Sequence, residues 1–408
     1  VTSRSFWAAP YRPMFSGAAL WALVCIGWWP LGVRLGLPAP AFEPTVLWHV
    51  HELLFGFAAL AVGGYLLTAL PNWVAKPPEQ GLILKLLMGF WALGRLTTAM
   101  ADRLPLSLIL ICNGLYFIAL FGLLIWRIAA ANAYVKTPFA FAMLALGLVE
   151  ATYMALAKSG DVAACLSLVR AVLIGFAILI ATIGVRAVPA FTNTWRQHQN
   201  LPVLDLPYNE RLRVITIALL ACGALALFLD AADFANALLI LAALSLLAAM
   251  SRWRSFSTGR NPLLFGLHAA FLWLPLGLLL MGSLWFYPAA YPTQDALHAL
   301  TIGAISGMIM AFTGRAASHT SEGSLRAPRS LTCAMVLLWC AIATRLTAPL
   351  TAHGQLLENS AALFWCVSWV CYLIALRPAL LGPAVRPVLS GRSPKTRTMS
   401  TTKAKGTG

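Results

Sequence analysis

Apolar runs of about 20 residues, separated by short polar stretches, occupy the chain almost to residue 382. Twelve can be counted, near 14–33, 47–70, 82–101, 106–131, 138–157, 162–185, 212–230, 232–250, 262–286, 293–314, 330–351 and 356–381. A helix of about 20 apolar residues crosses the hydrocarbon core of a bilayer. The pattern therefore predicts an all-α polytopic membrane protein, with twelve transmembrane helices in a single domain over residues 1–382. The boundary between runs seven and eight is soft, because only a tight turn around Asp230 and Asp233 divides them. The first run lacks a small-residue cleavage site and reads as a retained span rather than a signal peptide. Residues 383–408 are basic, rich in Ser and Thr, and read as a disordered tail.

The polar residues that interrupt these runs are few, and they recur at one level. Span two, LWHVHELLFGFAALAVGGYLLTALPNW from Leu47 to Trp73, carries His49, His51 and Glu52 in its first turns. Span three carries Arg95, span five Glu150, span six Arg170, span ten His298 at its start and span eleven Arg345. If successive spans alternate in direction, all of these fall in the same half of the bilayer. A charge at the bilayer centre costs about 2.5–3.5 kcal/mol on insertion scales, so intramembrane polar groups face the bundle interior and pair there.

The motifs also recur every four spans. His51 precedes Gly56 by five positions, as Arg170 precedes Gly175 and His298 precedes Gly303. Arg-Leu-Thr stands in spans three and eleven, at Arg95 and Arg345, and spans one, five and nine open with Pro13, Pro138 and Pro262. The expectation is three units of four helices, over 1–131, 132–255 and 256–382, with spans two, six and ten equivalent. The competing reading is chance similarity among Leu-rich helices.

Composition agrees with a membrane protein. The chain is 60% hydrophobic and 10% charged, against about 25% charged in soluble proteins. The net charge of +16 does not point to nucleic acid, because 23 of the 29 basic residues fall on the side that would be cytoplasmic if the N-terminus is. That is the positive-inside distribution, with both termini inside. The partner this charge implies is the lipid bilayer, including anionic lipid. The eight cysteines are scattered through the spans, with no C-x-x-C and no covalent haem-attachment motif, and read as small buried hydrophobes.

Imidazoles at one depth on two helices suit a haem, here a b-type haem held between helices two and ten. Arginines at that depth, Arg95, Arg170 and Arg345, suit its propionates through bidentate pairing; with Glu150 they equally suit mutual ion pairs between helices. On a regular helix His49 and His51 point about 200° apart, so one iron takes one of them. The repeat matches His51 with His298 and makes these the axial candidates. Glu52 shares a face with His49, so that pair is a candidate for orienting the imidazole or for a second metal, copper or iron. His49 bonded to a carbonyl at the interface is the other reading. Gly56, Gly63, Gly303 and Gly307 permit close approach of a macrocycle, or of a neighbouring helix. His268 reads as a satisfied core histidine, and His198, His319 and His353 as solvated.

These residues carry a family resemblance. PYRPMF, WHVHELLFGF, GYLLTALPNW, GVRAVPAFTNTW and HALTIGAISGM, followed by Arg315 and His319-Thr320, resemble the NnrS family of bacterial haem- and copper-containing membrane proteins. After His319 the chain reads TSEG where the family pattern is closer to TGR. The resemblance implies haem, copper, an inner-membrane location and a part in nitric oxide metabolism, denitrification or protection from nitrosative stress. It does not fix a catalysed reaction, although a haem oxidoreductase acting on nitric oxide with an electron donor is compatible with it. The layout is also similar to the catalytic subunit of haem–copper oxidases and nitric oxide reductases, but this chain has too few histidines at the right depth for their two-haem and metal centre. The alternative from another class is a twelve-helix secondary transporter with buried Arg and Glu as substrate or proton sites, which would repeat every six helices. A non-catalytic scaffold or sensor is a third.

Overall fold

The computed structural model of the chain describes residues 5–205, 207–318 and 327–382. The tail at 383–408 and His319 lie outside the described residues. All twelve predicted spans are present as helices long and apolar enough to cross a membrane. They are α1 (Tyr11–Gly32), α2 (Thr45–Val74), α3 (Leu82–Ala99), α4 (Leu106–Ala130), α5 (Tyr134–Lys158), α6 (Val162–His198), α7 (Asn209–Phe228), α8 (Ala232–Met250), α9 (Pro262–Phe286), α10 (Thr293–Ala316), α11 (Arg329–Leu350) and α12 (Gly354–Leu381). No strand occurs among the described residues.

Two helices form the middle of the bundle. The most apolar stretch of α2 is 83% buried and that of α10 is 72% buried, against 28–61% for the other ten. Helix α2 packs against α1, α3, α4, α5, α6 and α10, and α10 packs against α1, α2, α6, α9, α11 and α12. The remaining helices surround this pair and present leucine-rich faces outward, as lipid contact demands.

The chain closes on itself, because α1 lies against α12. Trp365 Nε1 donates to the Ala22 carbonyl at 2.8 Å. Arg12 is fully buried at the start of α1, where it donates to the carbonyls of Ser5 at 2.7 Å and Gly382 at 2.6 Å. The start of α1 and the end of α12 therefore share one face of the bundle, called here the terminal face. The starts of α2, α10 and α12 lie at the opposite, distal face.

Three departures from regular helix occur near the distal face. In α1, Trp29 is extended (φ −131°, ψ 123°), because the residue before a proline is disfavoured in the helical region. In α2 and α10, π-helical segments run over Glu52–Ala58 and Ala299–Ser306, each directly after a histidine of the sequence pattern. Such wide turns concentrate at functional sites.

Candidate functional site

Two polar assemblies flank α2 on different faces. One is a cavity of about 410 Å³ between α1, α2, α6, α10, α11 and α12. From Val46 through His49, Val50, Leu53 and Leu54 to Phe57 it follows one face of α2, for roughly 16 Å at helical rise. Helix α10 supplies Asp295, His298, Thr301, Ile302 and Ile305, and α12 supplies Glu358, Ala361 and Trp365. The cavity is graded. Its distal end holds Arg34, Gln294, Asp295, Arg345 and Glu358, while the deeper walls are Leu53, Phe57, Leu173, Ile302, Ile305 and Trp365.

The two histidines in this cavity are His49 and His298. The Nδ1 of His49 is buried without a hydrogen-bond partner. Its ring packs beside Trp29, with centroids 5.0 Å apart, at the break in α1. The Nδ1–H of His298 donates to the Asp295 carbonyl at 3.1 Å, a bond that fixes the ring and leaves Nε2 as the nitrogen open to a ligand. At the distal end Arg345 contacts Asp295 Oδ1 at 2.6 Å and stands 4.0 Å from Glu358 Oε1, and Arg34 stands 3.7 Å from Glu358 Oε2. Arg345 Nη1 is buried with no hydrogen-bond partner.

The second assembly lies between α1, α2, α3, α4 and α5 and takes the residues that the cavity does not. Glu52 Oε1 accepts from Arg95 Nη1 at 3.0 Å and lies 3.0 Å from His51 Nδ1. Its Oε2 accepts from Trp21 Nε1 at 2.6 Å. Arg95 Nη2 donates to Asn113 Oδ1 at 2.7 Å and to Glu150 Oε1 at 3.1 Å. His51 Nε2 stands 3.1 Å from the same Glu150 oxygen, in an ion contact without hydrogen-bond angles. Asn113 in turn donates to Thr98 Oγ1 at 3.2 Å. Glu52, His51, Glu150 and Arg95 are all buried. Gly56 makes the approach possible: a Cβ there would meet Trp21 Nε1 at 2.8 Å, and Arg95 Nη1 and Glu52 Oε2 at 2.9 Å.

Several expectations change accordingly. His51 does not share a cavity with His298; it is committed to Glu52 and Glu150, and His49 takes its place. Glu52 does not orient His49, because the wide turn that begins at Glu52 turns its carboxylate toward His51 and Arg95, so His49 and Glu52 form no shared metal site. Of the three arginines read as propionate partners, only Arg345 lines the cavity. Arg95 is an ion-pair residue, as the competing reading had it. Arg170 is half-buried on α6 and forms no ion pair with a described residue. None of Gly56, Gly63, Gly303 and Gly307 lines the cavity.

His268 is a satisfied core residue, between Thr192 Oγ1 at 2.8 Å and Ser255 Oγ at 2.9 Å. His198 and His353 are exposed. Asp295, Glu358, Arg34, Trp21 and Asn113 were missed. For Asp295, Glu358, Arg34 and Asn113 the signal was a lone polar residue inside an apolar run or within a turn of its end, which by itself does not separate a cavity rim from a helix cap; Trp21 gave no such signal.

A protein-family model described as NnrS protein matches residues 5–384. The chain belongs to the NnrS family. The match covers every transmembrane helix, so both assemblies of this NnrS-family chain fall inside the family region. No curated protein is matched.

Proposed function

We propose that this NnrS-family chain holds a b-type haem in the cavity between α2 and α10, with His49 and His298 as its imidazole ligands, and acts on nitric oxide at the periplasmic side of a bacterial inner membrane. The observation that carries the reading is the pair of imidazoles, from helices distant in sequence, in one cavity with the buried Nδ1 of His49 unpartnered. A buried donor or acceptor left unsatisfied costs about 1–3 kcal/mol, so a group that completes it is favoured. The cavity has the volume usual for a small-molecule site, and its gradient from charged rim to aliphatic depth matches an amphipathic macrocycle. Membership of the family supports the link to nitric oxide, and the basic residues gathered on the terminal face support a cytoplasmic assignment of that face.

The roles of this chain's own residues follow. His298, held at Nδ1 by the Asp295 carbonyl, presents Nε2; His49, wedged by Trp29, presents the second imidazole. Arg345 and Arg34 provide cationic partners for acidic substituents at the rim, and Asp295 and Glu358 hold those guanidiniums in place. Leu53, Phe57, Ile302 and Ile305 exclude water from the depth of the cavity. When bound, the iron would supply an electron-transfer centre and a site for a diatomic ligand.

The test is the absorption spectrum of protein purified from haem-supplied cells. A Soret band that His49→Ala and His298→Ala each abolish or displace, and that His51→Ala leaves in position, is the expected result. A colourless wild-type protein that takes up no added haemin overturns the reading.

A further inference from the structure

On the terminal face, remote from both histidines of the cavity, the ends of α6, α9 and α11 leave a second cleft, of about 700 Å³. Its rim carries Arg260, in the turn before α9, and Arg329, the first residue of α11. Both are exposed, and none of the described residues lining the cleft is acidic. Asn261 lies beside them, and its side chain caps α9 by accepting from the Leu264 amide at 3.2 Å. The positive end of the α9 dipole adds to the field of the two guanidiniums.

The wall of this cleft is one stripe of α11. Arg329, Thr332, Cys333, Val336 and Leu337 follow one another at helical spacing along it. Polarity falls steadily along that stripe, from guanidinium to hydroxyl and thiol to aliphatic, and Val336 at its deeper end is 46% exposed on the outside of the bundle. Trp195 of α6 closes the other side, a residue type favoured at the membrane interface.

We propose that this cleft binds an anionic phospholipid, with the phosphate between Arg260 and Arg329 and an acyl chain along the Cys333–Val336 stripe. Basic pockets between transmembrane helices on the cytoplasmic side recognise such head groups. The commitment to a lipid rests on the gradient: a free phosphate would use the two arginines and leave the exposed aliphatic stripe uncovered. The inference is independent of the cofactor in the other cavity.

The experiment uses the full chain, delipidated in detergent and titrated with phosphatidylglycerol or phosphatidylcholine of matched acyl chains. Binding is followed by native mass spectrometry, and maleimide labelling of Cys333 is read by peptide mapping. Phosphatidylglycerol is expected to bind about tenfold or more tightly than phosphatidylcholine and to shield Cys333. Arg260→Gln and Arg329→Gln should each weaken phosphatidylglycerol by roughly fivefold, the usual worth of one basic residue at an anionic membrane surface. Both residues are exposed, so the variants should elute like wild type, and Arg260→Lys with Arg329→Lys should retain most of the preference. Equal binding of the two lipids, Gln variants that bind like wild type, or equal shielding of Cys333 by sodium phosphate alone would overturn the proposal.

Discussion

His49 and His51 stand two residues apart on α2 and belong to different assemblies. His51 Nδ1 rests 3.0 Å from Glu52 Oε1 inside a five-helix ion cluster, while His49 Nδ1 is buried beside the cavity without a partner. One helix thus separates an ion-paired polar cluster from an open cavity, and the two histidines should respond differently to the same substitution.

His51→Ala should act on stability rather than on ligand binding. It removes one neighbour from each of Glu52 and Glu150, which then share Arg95 as their ion-pair partner while Glu52 keeps its bond from Trp21. A loss on the order of 1–3 kcal/mol is expected from a buried acceptor left short of a donor, seen as a lowered thermal midpoint in detergent. His49→Ala should leave that midpoint close to the wild-type value when both proteins are measured without haem.

Arg95→Met should be the most damaging single change in the cluster. It leaves two buried carboxylates without their shared cation, and breaking a buried pair from one side costs about 3–5 kcal/mol. Adding Glu52→Gln and Glu150→Gln should recover part of that loss, since the repelling charges go with the cation. Equal midpoints for the single and triple variants would count against an ionic role.

Gly56→Ala should destabilise, although alanine is the better helix former. The new methyl would lie 2.8–2.9 Å from Trp21, Arg95 and Glu52 atoms that hold one another in place. Overpacking of this kind costs about 1–3 kcal/mol. Gly89→Ala on α3 is the control, because nothing lies within 4 Å of a Cβ there; it should be neutral or slightly stabilising.

Arg345→Ala should loosen a bound haem without removing its ligands. The side chain closes the distal end of the cavity and pairs with Asp295, whose carbonyl holds His298. The expected result is haem transfer to an excess of a scavenging globin roughly tenfold faster, with Arg345→Lys intermediate because it keeps the charge but not the planar fork. An unchanged transfer rate would place the haem elsewhere.

The fold was legible in the sequence because lipid imposes a coarse rule. Twelve stretches long enough to cross had to be helices; that α2 and α10 form the middle of the bundle was not read from the sequence. The azimuth of their polar residues was not legible. The choice of His51 over His49 rested on a repeat in letters, and the pairing of Glu52 with His49 on regular helical spacing, which ends at the π-helical turn that starts at Glu52. Arg95 and Glu150 were visible as intramembrane charges, but which arginine meets a carboxylate and which meets a cavity depends on how α3 and α11 rotate against α2 and α10. Trp29 was hidden for a related reason: its approach to His49 depends on a break in α1 that a proline signals and does not aim.

The buried Arg12, which ties the carbonyls of Ser5 and Gly382 together, has a consequence for biogenesis. Of these twelve helices α1 is made before α12, and the Arg12 seat stays incomplete until α12 arrives. Glu358 and Trp365, which wall the cavity between α2 and α10, travel on α12. If the cavity takes up the proposed haem, the group can be enclosed only once α12 is in place, and a ribosome stalled before α12 would release an open trough rather than a pocket.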